Sequence, residues 1–277
     1  MKGTHPTLAR RYLGSRLKRL REERSESPKQ VGDAIGYDRK TISRIEKGQQ
    51  STHRLQAEAL ARYFEVGDEE RSYLCSLALK GSERGWWESF FDVGSKEATS
   101  PAFPLLLEAE QVASHIRAIE IEVIPGLLQT PEYLKGLQQS QLPIPREVAA
   151  SVAKLREKRQ QLVLGREAPP QLEFYIGRIA IEYLDQLSSD VREEQVQHLL
   201  DLSEYDNIDI RIVTEMHAAT NTGSFWILTM DDGFPPFVYM DALDGCRYIE
   251  QVDIVARFED VFTTVRKSTT PIKEFLK

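Results

Sequence analysis

The residues best suited to bind another molecule lie between Arg39 and Lys47, in the sequence RKTISRIEK. Arg39 and Arg44 carry planar guanidinium groups whose paired N–H donors match the O6 and N7 acceptors of guanine. Lys40 and Ser43 carry donors that reach a base edge or a phosphate, and the ammonium group of Lys47 suits a phosphate. The residue types therefore predict base readout by Arg39, Lys40, Ser43 and Arg44, with a DNA-backbone contact from Lys47.

A helix would place these groups on one surface. At 100° per residue, Ile42 and Ile45 share one face of such a helix, and the polar residues fall on the opposite face. Three further side chains of the same region are predicted to contact phosphate oxygens: Lys29, Thr41 and Arg54. Arg54 stands near the start of a following helix, where backbone amides also favour phosphate.

Local start and stop signals bound the helices that position these groups. The stretch from Ser27 to Gln30 is a helix start, with a hydroxyl cap, a proline at the first helical position and a capping-box glutamine. This helix ends at Gly36, because a residue without a Cβ adopts the left-handed conformation at little cost. Asp38 caps the next helix, which ends at Gly48 in the same way. Two short helices joined by a glycine turn form a helix-turn-helix, whose second helix enters the major groove.

Three more helices complete a predicted all-α domain. The first runs from Thr7 to Arg24, with leucines on one stripe and basic residues on its other faces, some of which we expect along a phosphate backbone. The fourth, about 52–64, is expected to bury Leu55 and the aromatic residues at its end. The fifth, 68–80, precedes a glycine- and serine-containing linker, where we place a domain boundary. The basic residues of the first helix are Arg10, Arg11, Arg16, Lys18, Arg19, Arg21 and Arg24.

The stretch LGSRLKRLREERSESPKQVGDAIGYDRKTISRIEKGQ resembles the lambda-repressor-like helix-turn-helix of the Xre family, in which a TISRIE-type recognition helix ends at a glycine. The resemblance covers about residues 7–66 and implies binding to double-stranded DNA. Family members usually have a phosphate-binding glutamine where this chain has Pro28, which has no N–H and no side-chain donor. The resemblance therefore does not extend to that phosphate contact.

Charge is distributed unevenly along the 277 residues, whose net charge is −7. Residues 1–54 contain 14 Lys and Arg against 6 Asp and Glu, a net +8, and the remaining 223 contain 22 against 37, a net −15. A basic module on an acidic body is typical of a DNA-binding head with a regulatory domain. No apolar run reaches the roughly 18 residues of a membrane span, and the start lacks a signal peptide, so we expect a cytoplasmic bacterial protein with no membrane partner.

Residues 86–277 are predicted to form a second domain, for regulation, partner binding and dimerisation. Helical patterns cover about 104–122, 146–164 and 253–267, and two shorter helices begin at Thr130 and Asp190. Apolar alternation and β-branched runs predict four strands of one half-buried sheet, in the segments LEFYIGR, IDIRIVT, SFWILTM and FVYMD. The predicted fold class is thus α+β: an all-α five-helix domain at 1–80, followed by an α+β domain with a small, mostly antiparallel sheet.

The helical reading of 104–122 places several charged residues on one face: Glu108, Glu110, Arg117 and Glu120. Runs of charge on a helix are usually solvated. We therefore expect this face to be exposed to water.

No residue pattern indicates catalysis. His115, His198 and His217 are isolated, without the paired spacing of a metal site, and Cys75 and Cys246 lack a zinc or disulfide pattern. The sequence also lacks the glycine-rich phosphate loops and the nucleophile elbow of common enzyme families. We therefore expect no enzymatic activity, no cofactor and no metal.

The strings WWESFFDV and LEAEQVASHIRAIEIEVIPGLLQTPEYL, followed by the strand and helix series through RFEDVF, resemble the uncharacterised domain that follows the Xre head in a large actinobacterial family of antitoxin-like regulators. This resemblance spans about residues 86–276, and PGLLQT and the double tryptophan are its most distinctive parts. It implies a regulator partnered with a small protein encoded nearby, and it implies no catalytic residue.

Two functional hypotheses follow. In the first, a homodimer binds a palindromic operator, and the C-terminal domain binds the small protein partner. In the second, the chain is a one-component sensor, whose C-terminal domain binds a small molecule in an aromatic pocket. A co-purified metabolite would favour the second hypothesis.

Overall fold

The computed structural model describes residues 7–82, 86, 90, 103–140, 145–215, 223–230, 235–242 and 245–277. The chain divides into two compact units, residues 1–88 and 89–277. No helix within the described ranges combines the length and apolar character that crossing a bilayer requires. Trp87 and residues 216–222 lie outside the described residues.

The described part of the first unit is all-α. Ser27 and Gln30 form the predicted capping box at the start of the second helix, with Pro28 at its first position. Gly36 and Gly48 have φ angles of 79° and 67°, so both short helices end in the left-handed conformation. The predicted five helices are confirmed to within two residues at each end: α1 (Leu8–Glu23), α2 (Pro28–Ile35), α3 (Arg39–Glu46), α4 (Arg54–Tyr63) and α5 (Asp68–Lys80).

The apolar stripe of α1 lies at the centre of this unit. Leu13 and Leu17 are buried, together with Ile42 and Ile45 of α3. The prediction for Leu55 is wrong, because its side chain is 79% exposed. The fourth helix starts at Arg54 rather than Thr52, and its buried face is formed by Ala57, Leu60 and Ala61 instead.

The second unit contains a sheet in which seven strands are described. From edge to edge the order is β6-β5-β4-β1-β2-β3-β7. β1 pairs with β2 in parallel, β2 pairs with β3 in parallel, and the other four neighbouring pairs are antiparallel. The mostly antiparallel α+β fold is thus confirmed, and the four predicted strands are β2 to β5. The strands are β1 (Ala113–Glu120), β2 (Gln171–Gly177), β3 (Ile208–Val213), β4 (Phe225–Met230), β5 (Phe237–Ala242), β6 (Gly245–Ile249) and β7 (Thr269–Pro271).

The helical reading of 104–122 is wrong over its second half. The helix ends at Val112, and β1 follows without a break. β1 lies between β2 and β4 in the sheet, and its buried residues Ala113, Ile116, Ala118 and Ile119 do not alternate strictly with more exposed ones. A short buried strand of this kind has no period that separates it from a helix.

Helices complete the second unit. Asp190 does not cap its helix, which starts at Ser189 after Ser188 and has no side-chain cap. The helices predicted at 146–164 and 253–267 are confirmed, the latter with bounds of 252–265. The described helices are α6 (Phe103–Val112), α7 (Pro131–Ser140), α8 (Arg146–Leu164), α9 (Arg178–Glu182), α10 (Ser189–Leu202), α11 (Val252–Val265) and α12 (Ile272–Phe275).

The two faces of the sheet have different coverings. α11 covers one face, where Phe262 stacks on Tyr175 with ring centroids 4.1 Å apart. On β4, the next residue along from Phe225 is Trp226, whose side chain points to the opposite face. There the guanidinium of Arg159, from α8, lies 5.5 Å from the Trp226 ring centroid. The second face therefore has charged as well as apolar neighbours.

Candidate nucleic-acid interface

α3 presents a cationic surface to solvent. Arg39, Lys40, Arg44 and Lys47 are exposed, and Ser43 is half-buried beside them. Within the described residues, none of the four cationic side chains has an ion pair or hydrogen bond. These groups are therefore available to an external anion, and the predicted base-reading set lies together on one helix.

The start of α3 is fixed by Asp38. Its carboxylate accepts a hydrogen bond of 2.7 Å from the backbone N–H of Thr41. This bond and one from the Thr41 side chain lower the pKa of Asp38, with smaller contributions from Lys40 and Arg44. Ile42 and Ile45, each 2% exposed, anchor the opposite face of the helix in the core. The cationic face is thereby directed outward.

The end of α3 is fixed by an ion pair that the sequence patterns did not indicate. Arg21 of α1 donates two hydrogen bonds to the carboxylate of Glu46, at 2.6 and 3.0 Å, and a third of 2.7 Å to the carbonyl of Glu26. The bond to Glu46 raises the pKa of Arg21. A bidentate guanidinium–carboxylate pair fixes both distance and orientation. It therefore ties the last turn of α3 to α1.

α1 and α3 also approach closely at Gly14. A Cβ at this position would lie 2.3 Å from the carbonyl oxygen of Ile45 and 2.7 Å from that of Glu46. Only a residue without a side chain fits there without moving one of the two helices. Gly14 therefore sets the distance between α1 and the carboxyl end of α3.

Most of the basic residues of α1 have structural roles. We expected some of them along a phosphate backbone, but four of the seven donate hydrogen bonds to acceptors within the first unit, and Lys18 forms an ion pair with Glu22. Such groups are already paired, so the cationic surface that remains is concentrated on α3. The pairs are Arg10 with the Gly81 carbonyl, Arg16 with Glu70, Arg21 with Glu46, and Arg24 with the carbonyls of Tyr63 and Phe64.

The three other predicted phosphate ligands differ in availability. Lys29 is exposed on the first turn of α2 but forms a 2.5 Å ion pair with Asp33. Thr41 is half-buried and engaged with Asp38. Arg54 is exposed at the first position of α4. The structure therefore places Lys29 and Arg54 on the helices that precede and follow α3 in the chain. Lys29 has an ion-pair partner, and Arg54 has none among the described residues.

The prediction that the charged residues of segment 104–122 are exposed to water is wrong for two of them. Glu110 is fully buried and accepts two hydrogen bonds from Arg159, at 2.6 and 2.5 Å. Glu120 accepts a 2.6 Å hydrogen bond from the indole N–H of Trp226, and burial raises the pKa of its carboxyl group. Both partners are distant in sequence, so the local charge pattern carried no signal of this burial.

The segment PGLLQT is a buried turn held by two glutamines. Gln160 donates to the carbonyls of Gly126, Leu127 and Gln129, and Gln195 pairs with the backbone of Leu128 and Thr130. Gln195 has no exposed surface. Since these side chains satisfy backbone groups that the turn leaves unpaired, the segment is fixed in one conformation.

Comparison with known families assigns both units. Residues 12–74 match a helix-turn-helix domain, and residues 103–274 match a domain of unknown function, DUF5753. Searches of the curated proteins and of the solved structures returned no match. The second match covers more than half of the chain, and the first accounts for the α2–α3 geometry. The chain belongs to the DUF5753 family and carries the helix-turn-helix domain of a DNA-binding regulator at its N-terminus.

Proposed function

We propose that this protein is an Xre-type transcriptional regulator that reads specific sequences in double-stranded DNA. The observation that carries the proposal is the set of exposed cations on α3 that have no partner among the described residues. In this proposal Arg39, Lys40, Ser43 and Arg44 read base edges, and Lys47 and Arg54 contact phosphates. Lys29 and Thr41 have weaker support as phosphate ligands, because each already has a partner.

The proposed active form is a homodimer on a palindromic operator. α3 spans only eight residues, so one copy contacts few bases. Two copies on half-sites about one helical turn apart are the usual way in which helix-turn-helix proteins reach useful affinity. The regulator would act on DNA in the cytoplasm.

The proposed role of the second unit is to bind a small protein encoded nearby, so that the chain acts like an antitoxin, and no catalytic role is assigned to it. The resemblance of residues 86–276 to antitoxin-like regulators supports this proposal. The test is affinity capture of the tagged protein from its own host. Recovery of one small protein that is lost when residues 103–277 are deleted supports it, and recovery of the regulator alone contradicts it.

DNA recognition is tested by selecting binding sites from random DNA and measuring the affinity of variants for the selected site. We expect Arg44→Ala to cost about 1–3 kcal/mol on the selected site and to relax the preference at one base pair. Lys47→Ala should weaken selected and random DNA alike and lower the salt slope by about one. Arg178→Ala removes one exposed charge from the second unit and is the matched control.

The outcomes separate the assigned roles. Equal losses on selected and random DNA for both α3 variants would show that neither residue reads bases. A loss of the same size for Arg178→Ala would show that the effect comes from net charge alone.

A second candidate function is small-molecule sensing by the second unit. A cavity beside Arg156 and Arg159 favours it. In that case a ligand, rather than a protein partner, would control DNA binding.

A further inference from the structure

A cavity of about 690 Å³ lies in the second unit, beside β4, β5 and the segment 120–129. Its volume is within the range of small-molecule sites, about 300–1,000 Å³. The described residues of its wall include three aromatic side chains, Phe103, Trp226 and Tyr239. Polar groups converge on the same space, so it differs from an apolar packing defect.

Arg156 is a charged group of this wall that has no partner among the described residues. It is half-buried, and no described residue forms a hydrogen bond or ion pair with its guanidinium. Burial, together with the nearby charge of Arg159, lowers the pKa of Arg156 to about 9, so it remains protonated at neutral pH. A half-buried cation without a compensating partner is costly to a folded protein, and such groups are concentrated at functional sites.

The two arginines of α8 converge on Gly126. A Cβ on this glycine would lie 1.4 Å from Nη1 of Arg156 and 2.9 Å from Nη1 of Arg159. Glu110 binds Arg159 through both carboxylate oxygens, and so it compensates one of the two charges. The second guanidinium, that of Arg156, needs space at this point. The PGLLQT turn, held by Gln160 and Gln195, provides this space because Gly126 has no side chain.

Gln129, in the same turn, has an unpaired acceptor. Its side chain is buried, with 5% of the residue exposed, and its Nε2 donates a 2.7 Å hydrogen bond to the carbonyl of Ile124. That bond sets the orientation of the amide. Oε1 then has no hydrogen-bond partner among the described residues, and Gln129 is one of the residues that line the cavity. A ligand donor would satisfy it.

Three carboxylates complete the wall, those of Glu120, Glu122 and Asp241. Glu120 is held by the Trp226 indole, and Asp241 accepts a hydrogen bond from the Tyr239 hydroxyl. Glu120 is near enough for its charge to act on Arg156. A purely anionic ligand would be repelled by these carboxylates, and a purely cationic one by the arginines. The wall therefore favours a ligand that carries both charges.

We propose that this cavity binds a small zwitterion of amino-acid chemistry. Its carboxylate pairs with Arg156, its ammonium group donates to Gln129 Oε1 and Glu120, and its side chain lies against Trp226 and Phe103. The proposal identifies the site and ligand class of the sensing function. It does not depend on DNA binding.

The first test needs no ligand. Arg156→Gln in the full-length protein removes a half-buried charge that has no ion-pair partner among the described residues, and we expect the melting temperature of the unliganded protein to rise by about 2–4 °C. Arg146→Gln, an exposed arginine on the first turn of the same helix, is the control and should leave it unchanged. An unchanged or lower melting temperature for Arg156→Gln would overturn the assignment of Arg156 as a ligand-binding group.

The second test uses the free L-amino acids as probes, each at millimolar concentration. Thermal shift of the full-length protein identifies those that bind, and calorimetry measures affinity. We expect at least one to bind, and its N-acetyl and carboxamide derivatives, which each keep one charge, to bind at least about tenfold more weakly. Arg156→Gln should abolish the binding, and Arg146→Gln should retain it.

Three results would overturn the proposal: no amino acid binds, Arg156→Gln binds as the wild type does, or a singly charged derivative binds as tightly as its parent. The same samples report operator affinity. Amino-acid binding without operator binding would contradict the proposed DNA-binding regulator and support the cavity assignment. Operator binding without amino-acid binding would support the regulator and contradict the cavity assignment.

Discussion

The pair Arg21–Glu46 offers a direct test of how α3 is held for DNA recognition. Its two side chains are 10% and 8% exposed, so water replaces a lost partner poorly. Glu46→Gln preserves the size of the side chain, removes the charge and replaces one acceptor with a donor that faces the guanidinium. Arg21→Met removes the cation and leaves the carboxylate of Glu46 unpaired.

The expected cost follows from this geometry. A hydrogen bond to a charged group contributes about 1.5–3 kcal/mol, and breaking one side of a buried pair costs about 3–5 kcal/mol. Because both groups retain some access to water, we expect about 2–3 kcal/mol for Glu46→Gln, in which Arg21 keeps its bond to the Glu26 carbonyl, and at least as much for Arg21→Met, which loses that bond as well. The double variant Arg21→Met with Glu46→Met should cost less than the sum of the singles, because neither charge is then left unpaired.

Hydrogen exchange measured by mass spectrometry on the full-length protein reports on the first unit separately. For a loss of 2–3 kcal/mol, the amides of α1 and α3 should exchange about 30- to 140-fold faster. Glu58→Gln, which breaks the surface pair with Arg62 on α4, is the control and should change exchange by less than about threefold. Affinity for the selected DNA site should fall more than affinity for random DNA.

If the stability loss of the double variant equals the sum of the two single losses, then Arg21 and Glu46 do not interact, and the predicted coupling is refuted. Amide exchange in Glu46→Gln no faster than in the control Glu58→Gln would also refute the claim that this pair stabilises the first unit.

Three other predictions concern positions where neighbours leave little freedom. Gly14→Ala places a Cβ 2.3 Å from the Ile45 carbonyl, so we expect a loss of about 1–3 kcal/mol in urea unfolding and weaker operator binding in an anisotropy titration. Glu110→Gln leaves the buried guanidinium of Arg159 uncompensated and should cost about 3–5 kcal/mol in the same unfolding experiment; a loss below about 1 kcal/mol would contradict the burial of this pair. Burial raises the pKa of Glu120 in the folded state, so the folded protein binds this proton more tightly than the unfolded chain does. The resulting contribution to stability is complete below the unfolded pKa of about 4.3 and is lost as the pH rises through the folded pKa. The melting temperature of Glu120→Gln should therefore rise relative to wild type between acidic and neutral pH, and a constant difference would contradict the shift.

The helices of the first unit were predictable because their signals are local. The hydroxyl of Ser27, the carboxylate of Asp38 and the left-handed Gly36 each act on backbone groups within three residues. The apolar spacing of Ile42 and Ile45 then determines which face of α3 is exposed. The prediction that the polar residues of this helix face solvent is confirmed, whereas their roles in base and phosphate contact remain predictions.

β1 was not predictable in this way. Ala113, Ile116 and Ile119 have a spacing that fits a helical stripe, and in the structure they are buried in a strand between two others. Whether such a segment becomes helix or strand depends on β2 and β4, which begin 58 and 112 residues after Ala113. The exposure of Leu55 is a smaller case: at 100° per residue it lies about 140° around α4 from the buried Leu60, so the two side chains do not share a face.

The sequence by itself determined the helix-turn-helix, the cationic face of α3 and the α+β character of the second unit, because helix caps, turns and periodicity act over a few residues. Only the tertiary structure decided which charges are free. Arg44 and Arg21 look alike in the sequence, but Arg21 donates hydrogen bonds to a carboxylate 25 residues away, whereas Arg44 forms no ion pair or hydrogen bond with a described carboxylate. Glu110 is likewise buried because Arg159, 49 residues away, compensates its charge. The state of a charged side chain depends on the burial and partners that the folded chain brings to it, and no local pattern encodes these.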